Sequence, residues 1–151
     1  MALALFDKLN ALLSRLEAES VPYAVAGAVA LAIHGVPRAT TDIDLLVPPD
    51  ALARARAIAL GRGFTLEALP MKLSDGLQVR RLSKLEGEHS LTLDLLLVDA
   101  NLDPVWQTRV RVSAEHGDVW VVSREGLIRM KTWAGRDQDL SDVKRLQELD
   151  R

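Results

Sequence analysis

Asp42 and Asp44 are separated by one apolar residue in the run Thr41-Asp42-Ile43-Asp44-Leu45-Leu46. In a strand, successive side chains alternate between faces, so the two carboxylates project together while Ile43 and Leu45 point to the other side. Two carboxylates this close repel each other unless something positive sits between them. Mg²⁺ (or Mn²⁺) resolves this, because such a hard cation takes a few carboxylates plus phosphate oxygens of a substrate. A polar strand end, with each Asp bonding nearby backbone, is the simpler alternative. Upstream, Gly27 follows the apolar stretch Tyr23 to Ala26 and precedes a run of small residues. A glycine there lets a phosphate approach backbone N–H groups at a helix start without meeting a Cβ. Downstream, Asp94 is the only charge in Leu91-Thr92-Leu93-Asp94-Leu95-Leu96-Leu97. A lone Asp in a buried strand is costly unless it is paired or coordinated, which makes it the candidate third carboxylate.

These residues need a scaffold of strands and helices. Leu5, Leu9, Leu12, Leu13 and Leu16 recur at helical spacing and predict an amphipathic first helix. Tyr23 to Ala26 reads as a short buried strand. Ala28 to His34 reads as a helix closed by Gly35, with Pro37 beyond. Thr41 to Val47 is a strand, and Pro48-Pro49-Asp50 starts an Ala-rich helix ending near Gly61 to Gly63. Strands are predicted over Phe64 to Leu69, Leu77 to Leu85 and Leu91 to Val98, with turn chemistry at Asp75-Gly76 and Glu86-Gly87. Asn101 to Gln107 reads as a short helix, and Asp99 as a loop or cap residue. Arg109 to Val122 reads as a hairpin turning at His116-Gly117-Asp118. Ser123 caps a helix to Ala134, which Gly135 breaks. Asp137 starts a terminal helix with Leu140, Val143, Leu146 and Leu149 inward. The sum is α+β: a mixed sheet with packed helices and a helical C-terminus.

The 151 residues suit one domain spanning 1–151, and a 48% apolar, 26% charged composition is globular rather than disordered. The formal charge of −2 offers no general attraction to nucleic acid, so a polyanion would have to meet a local basic cluster. Cysteine is absent, which removes disulfides and thiolate metal sites and suits a cytoplasmic protein. Met1 to Leu5 is soon interrupted by Asp7 and Lys8 and makes a poor signal peptide. Val21 to Val36, the least charged stretch, is too short and too rich in Pro and Gly for a membrane span.

The segment from Gly27 to Leu46 resembles the signature of the polymerase-β-like nucleotidyltransferase superfamily: a Gly-[Gly/Ser] turn, a helix, Asp-x-[Asp/Glu] on the next strand, and a later third Asp. The wording Gly35-Val-Pro-Arg38-Ala-Thr40-x-Asp42-Ile-Asp44 is closest to the AbiEii-like nucleotidyltransferases of toxin–antitoxin systems. The tail Lys131-x-x-Ala-x-Arg136-x-x-Asp139-Leu-x-Asp142 is similar to a late pattern of that branch. The resemblance implies transfer of a nucleotide from a nucleoside triphosphate to a tRNA 3′ end or a partner protein. Asp42, Asp44 and Asp94 would bind metal, Lys131 would join them in catalysis, and Gly27, Ala28, Arg38 and Thr40 would hold the nucleotide. Ala28 stands where Gly or Ser is usual, so it offers a backbone donor and no hydroxyl. The chain is also shorter than typical toxins of the branch.

Other charged residues carry two readings. Arg38 and Lys131 suit triphosphate charge. An ion pair with Asp42 or Asp44 is the alternative for Arg38, and a solvated helix face the alternative for Lys131. Asp139 and Asp142 lie near a helix start, where the macrodipole favours carboxylates; the structural reading is preferred for Asp142 and Asp139 is left open. Arg80, Arg81 and Lys84 read as a solvated strand face before an RNA contact. His34, His89 and His116 lack partners at metal-ligand spacing and read as structural. Two rival functions remain. One is a non-catalytic, antitoxin-like binding module, favoured by Ala28 and the short chain and opposed by the acidic trio. The other is a two-metal phosphodiesterase, opposed by the Gly27 turn.

Overall fold

The computed structural model describes residues 2–114 and 117–149. Helix α1 (Ala2–Ala18) buries the predicted leucine seam, with Leu5, Leu9, Leu12, Leu13 and Leu16 all inside. Strand β1 (Ala24–Ala26), helix α2 (Gly27–Ile33) and strand β2 (Asp42–Val47) follow. A 3₁₀ turn (Pro49–Ala51) leads into α3 (Leu52–Gly61), with Pro49 at a position where no N–H is needed. Two short strands, β3 (Leu66–Glu67) and β4 (Met71–Lys72), precede the long hairpin β5 (Gln78–Glu86) and β6 (His89–Leu97). Then come α4 (Asp103–Gln107), the pair β7 (Val110–Ala114) and β8 (Gly117–Val121), α5 (Arg124–Ala134) and α6 (Asp137–Glu148). The β7–β8 hairpin forms as read, but Glu115 and His116 at its turn lie outside the described residues.

The strands form one mixed sheet in the order β3-β5-β6-β2-β1-β8-β7, with β4 also paired to β5. β2 and β6 are parallel neighbours at its centre, and β1 runs antiparallel to β2. Alternation then sorts the side chains. Ile43, Leu45, Leu93, Leu95 and Leu82 are buried on one face. Helices α1 and α3 cover that face: Lys8 pairs there with Glu86, and the Lys84 ammonium donates to the Arg62 carbonyl. The opposite face carries Asp42, Asp44 and Asp94, with α5 standing over it.

Two expectations change. The strand read over Phe64 to Leu69 shrinks to Leu66–Glu67, because Pro70 interrupts the chain and the next two residues pair with a different stretch of β5. In α6, Leu146 is buried as read, yet Leu140 and Leu149 are exposed. The inward stripe is instead Asp139, Asp142 and Leu146. Apolar periodicity misplaces the stripe because the helix docks through ion pairs. Among the described residues, no helix is long and apolar enough to cross a membrane.

Candidate active site

The sheet register builds the site. Ala26 on β1, Asp44 on β2, Asp94 on β6 and Arg81 on β5 are direct cross-strand partners and share a face. Asp42 joins them one step along β2, opposite Thr92. The two carboxylates of β2 therefore project together, and Asp94 stands beside Asp44. Arg81 is no solvated bystander. Its Nε donates to Asp94 Oδ1 at 2.8 Å and its Nη2 to Oδ2 at 2.9 Å, a two-pronged pair.

Gly27 is required twice over. Its φ is +62°, a left-handed conformation that disfavours side chains. A Cβ built there would lie 2.0 Å from Asp44 Oδ2, so the bare backbone makes the space for this carboxylate. Asp44 is half-buried. Burial first, then the charges of Asp94 and Asp42, push its carboxyl up to about 7, against the opposing pull of Lys131 and Arg81. A group in this position has reason to welcome a cation.

The facing wall comes from α5 and α6. Ser123 Oγ accepts from the Gly126 N–H and starts α5, and Gly135, left-handed at φ 67°, ends it. Lys131 on α5 is buried rather than solvated, with Nζ 3.0 Å from Asp142 Oδ2 and 3.5 Å from Asp139 Oδ1. Arg136 holds Asp139 through its side chain and its backbone N–H, while Arg38, from the segment after α2, pairs with Asp142. Arg38 thus meets neither Asp42 nor Asp44. Burial would raise both carboxyls of α6. Pairing with Arg136 for Asp139, and with Lys131 and Arg38 for Asp142, outweighs it and holds both below the usual carboxylate range.

Between these walls lies a cavity of about 830 Å³. Gly27, Asp42, Asp44, Asp94 and Lys131, all singled out in the sequence, line it. Ala28, Arg38 and Thr40 do not. Thr40 Oγ1 accepts from the Asp42 N–H at 3.0 Å and so fixes the entry to β2. An apolar side, formed by Met71, Leu77 and Val79 on one flank and Met130 and Trp133 on the other, has no counterpart in the sequence reading.

This arrangement of sheet and helices matches known structures over nearly all of the chain. A Thermotoga maritima protein, TM1012, described as a candidate nucleotidyltransferase, superposes with a TM-score of 0.65 at 15% identity over 97% of this chain and 93% of its own. ANT(2″)-Ia in complex with adenylyl-2″-tobramycin gives 0.59 at 15% identity, over 93% of this chain and 91% of that one. JHP933 from Helicobacter pylori gives 0.56 at 18%, over 97% of this chain and 66% of that one.

The chain has the nucleotidyltransferase fold.

No protein-family model matches the sequence, and neither does any curated protein. At these identities the likeness establishes the fold and leaves the chemistry to the residues. Within the nucleotidyltransferase fold, the cations of the site are spent elsewhere: Arg81 on Asp94, Lys131 on Asp139 and Asp142, Arg38 on Asp142. Asp42 and Asp44 are left without a paired cation among the described residues. Two carboxylates without a counter-ion in the lining of a cavity suit Mg²⁺ or Mn²⁺, which needs one or two such ligands beside phosphate and water. Asp94, the third carboxylate read from the sequence, stands beside Asp44 with both of its oxygens accepting from Arg81, and among the described residues no group of three or more metal-ligating side chains is found. Asp139 and Asp142 are the other residues whose contribution the sequence understated. Their signal was their i, i+3 spacing on the same side of one helix.

Proposed function

We propose that this protein is a Mg²⁺- or Mn²⁺-dependent nucleotidyltransferase that moves a nucleotide from a nucleoside triphosphate to an acceptor hydroxyl. The observation that carries the reading is Asp44, wedged between Gly27 and Asp94 with Asp42 beside it, in the lining of a cavity whose facing wall holds Lys131. A divalent cation held by Asp42 and Asp44 would neutralise the triphosphate and stabilise charge growing at the α-phosphorus. Gly27, which lines the cavity, would offer its backbone N–H to the outer phosphates. Lys131, oriented by Asp139 and Asp142, faces the same space as a point charge. The acceptor oxygen bonds to the α-phosphorus as the bond to the diphosphate breaks, and the hydroxyl proton passes to a carboxylate. Asp94 suits that task once Arg81 no longer occupies both of its oxygens.

The motif wording around Asp42 and the Lys131 to Asp142 tail support an AbiEii-like toxin of a toxin–antitoxin system, acting in the cytoplasm on a tRNA 3′ end or a partner protein. One observation favours a different acceptor. The cavity is lined by six aspartates, Asp42, Asp44, Asp75, Asp94, Asp99 and Asp139, against three cations, Arg81, Lys131 and Arg136, each already paired. Such a rim repels a polyanion and attracts a small cationic hydroxyl compound such as an amino sugar. Incubation with each α-labelled nucleoside triphosphate and Mg²⁺, with total RNA, cell protein or tobramycin as acceptor, separates these. Label should reach one acceptor class and vanish with Asp42→Asn. A folded protein that labels none of them would count against transfer and favour the binding-module reading.

A further inference from the structure

The third carboxylate of the site is already occupied. Arg81 takes both oxygens of Asp94 in a fork whose geometry the sheet imposes, since the two residues are direct partners across the β5–β6 hairpin. On its other side Asp94 is the direct partner of Asp44 across the parallel β2–β6 pair. Asp94 therefore sits between one cation and one anion. The two members of the ion pair differ in freedom: the Asp94 side chain is 12% exposed and the Arg81 side chain 45%. Arg81 has room to swing into the cavity it lines, whereas Asp94 is held beside Asp44 by the strand.

A divalent cation shared by Asp44 and Asp94 would need an Asp94 oxygen that now accepts from Arg81. It would also lie within a few ångströms of the guanidinium, where the two positive charges repel strongly. Guanidinium and metal thus compete for one carboxylate. Triphosphate oxygens offer Arg81 the same two-pronged, charge-assisted geometry that Asp94 does, so its departure toward a nucleotide strands no charge.

We infer that Arg81 is an internal counter-ion that closes Asp94 to metal until a polyphosphate draws it away, coupling entry of a second divalent cation to nucleotide binding. The inference rests on the proposal that Asp42 and Asp44 bind the first cation. It assigns Arg81 a positioning role that activity measurements alone would not separate from simple substrate contact.

The test is Mn²⁺ binding, followed by the electron paramagnetic resonance signal of the free ion. It is run without nucleotide and with the α,β-methylene analogue of each of the four ribonucleoside triphosphates. The wild-type chain should bind one Mn²⁺ alone and two with an analogue. Arg81→Gln should bind the second Mn²⁺ without nucleotide, about tenfold or more tightly than wild type does. Arg81→Gln combined with Asp94→Asn should return to one. Arg81→Lys keeps the charge but loses the fork, and should tighten the second site by a smaller step. That variant serves if the Gln variant fails to fold. Wild type binding two Mn²⁺ without nucleotide, or a second site unmoved by loss of Arg81 or not cancelled by Asp94→Asn, overturns the inference. One Mn²⁺ in wild type with no change in the Arg81 variants likewise overturns the inference, while leaving the Asp42–Asp44 metal site standing. No Mn²⁺ binding with or without nucleotide removes the Asp42–Asp44 metal site itself.

Discussion

Asp44 is where stability and proposed function pull apart. Its carboxyl is pushed up to about 7 by burial and by its acidic neighbours. A raised acid binds its proton more tightly when folded, so its contribution is fully present below the unfolded value near 4 and is lost as pH rises through about 7. With metal removed by EDTA, stability should fall by roughly 2–3 kcal/mol over that window. Asp44→Asn should flatten the fall and abolish transfer. Urea unfolding from pH 4 to pH 8 measures the first and labelled transfer the second. A variant less stable than wild type at pH 8 would instead assign Asp44 a structural role. Gly27→Ala tests the same contact from the other side. Strain at φ +62° should cost about 1–2 kcal/mol, and the new methyl, 2.0 Å from Asp44 Oδ2, must displace that carboxylate. Thermal unfolding should register the strain, and Mn²⁺ affinity should fall with it.

At the scale of elements, the ion-pair group of Lys131, Asp139, Asp142, Arg136 and Arg38 ties α5, α6 and the segment leading into β2 to one another. Asp142 is its centre and is fully buried. Removing one partner of a buried pair leaves uncompensated charge, so Asp142→Ala should cost about 3–5 kcal/mol in urea unfolding. Asp142→Asn should cost less, because it retains hydrogen bonds to Arg38 and Gln138. The pH sign here is opposite to that of Asp44. Both α6 carboxyls are held below their ordinary value, so they stabilise above about pH 4 and the contribution is lost as pH falls further. An acid titration of the Asp142→Ala variant should show a shallower loss than wild type. Equal acid sensitivity would mean that the network contributes little.

Across the whole molecule, nucleotide binding should depend on metal. Asp42, Asp44 and a triphosphate are all negative, and the cations that could offset them are engaged in ion pairs. A nucleoside triphosphate without metal should leave the melting temperature nearly unchanged. Both together at about 100 times the dissociation constant should add roughly 2.7 kcal/mol, a rise of several degrees by calorimetry. An equal rise with nucleotide in EDTA would place the nucleotide elsewhere.

The sequence by itself determined what depends on near neighbours along the chain. Alternation on β2 places Asp42 and Asp44 on one face, and leucine spacing yields α1. Ser123 and Gly135 mark the ends of α5, because each acts on the backbone within a few residues. Even Arg81 was within reach. The two-residue loop Gly87–Glu88 fixes the hairpin register, and Asp94, five residues after His89, then faces Arg81, five before Glu86. Tertiary structure alone decided the rest. Asp44 and Asp94 meet only because β2 and β6 become parallel neighbours. Arg38 reaches Asp142 across 104 residues of chain, and that pairing, with Lys131, turns two aspartates of α6 inward in place of Leu140 and Leu149. Hydrophobic period predicts which face of a helix is apolar. It is blind to a face buried by charge, because burial there depends on partners that only the folded chain brings within a few ångströms.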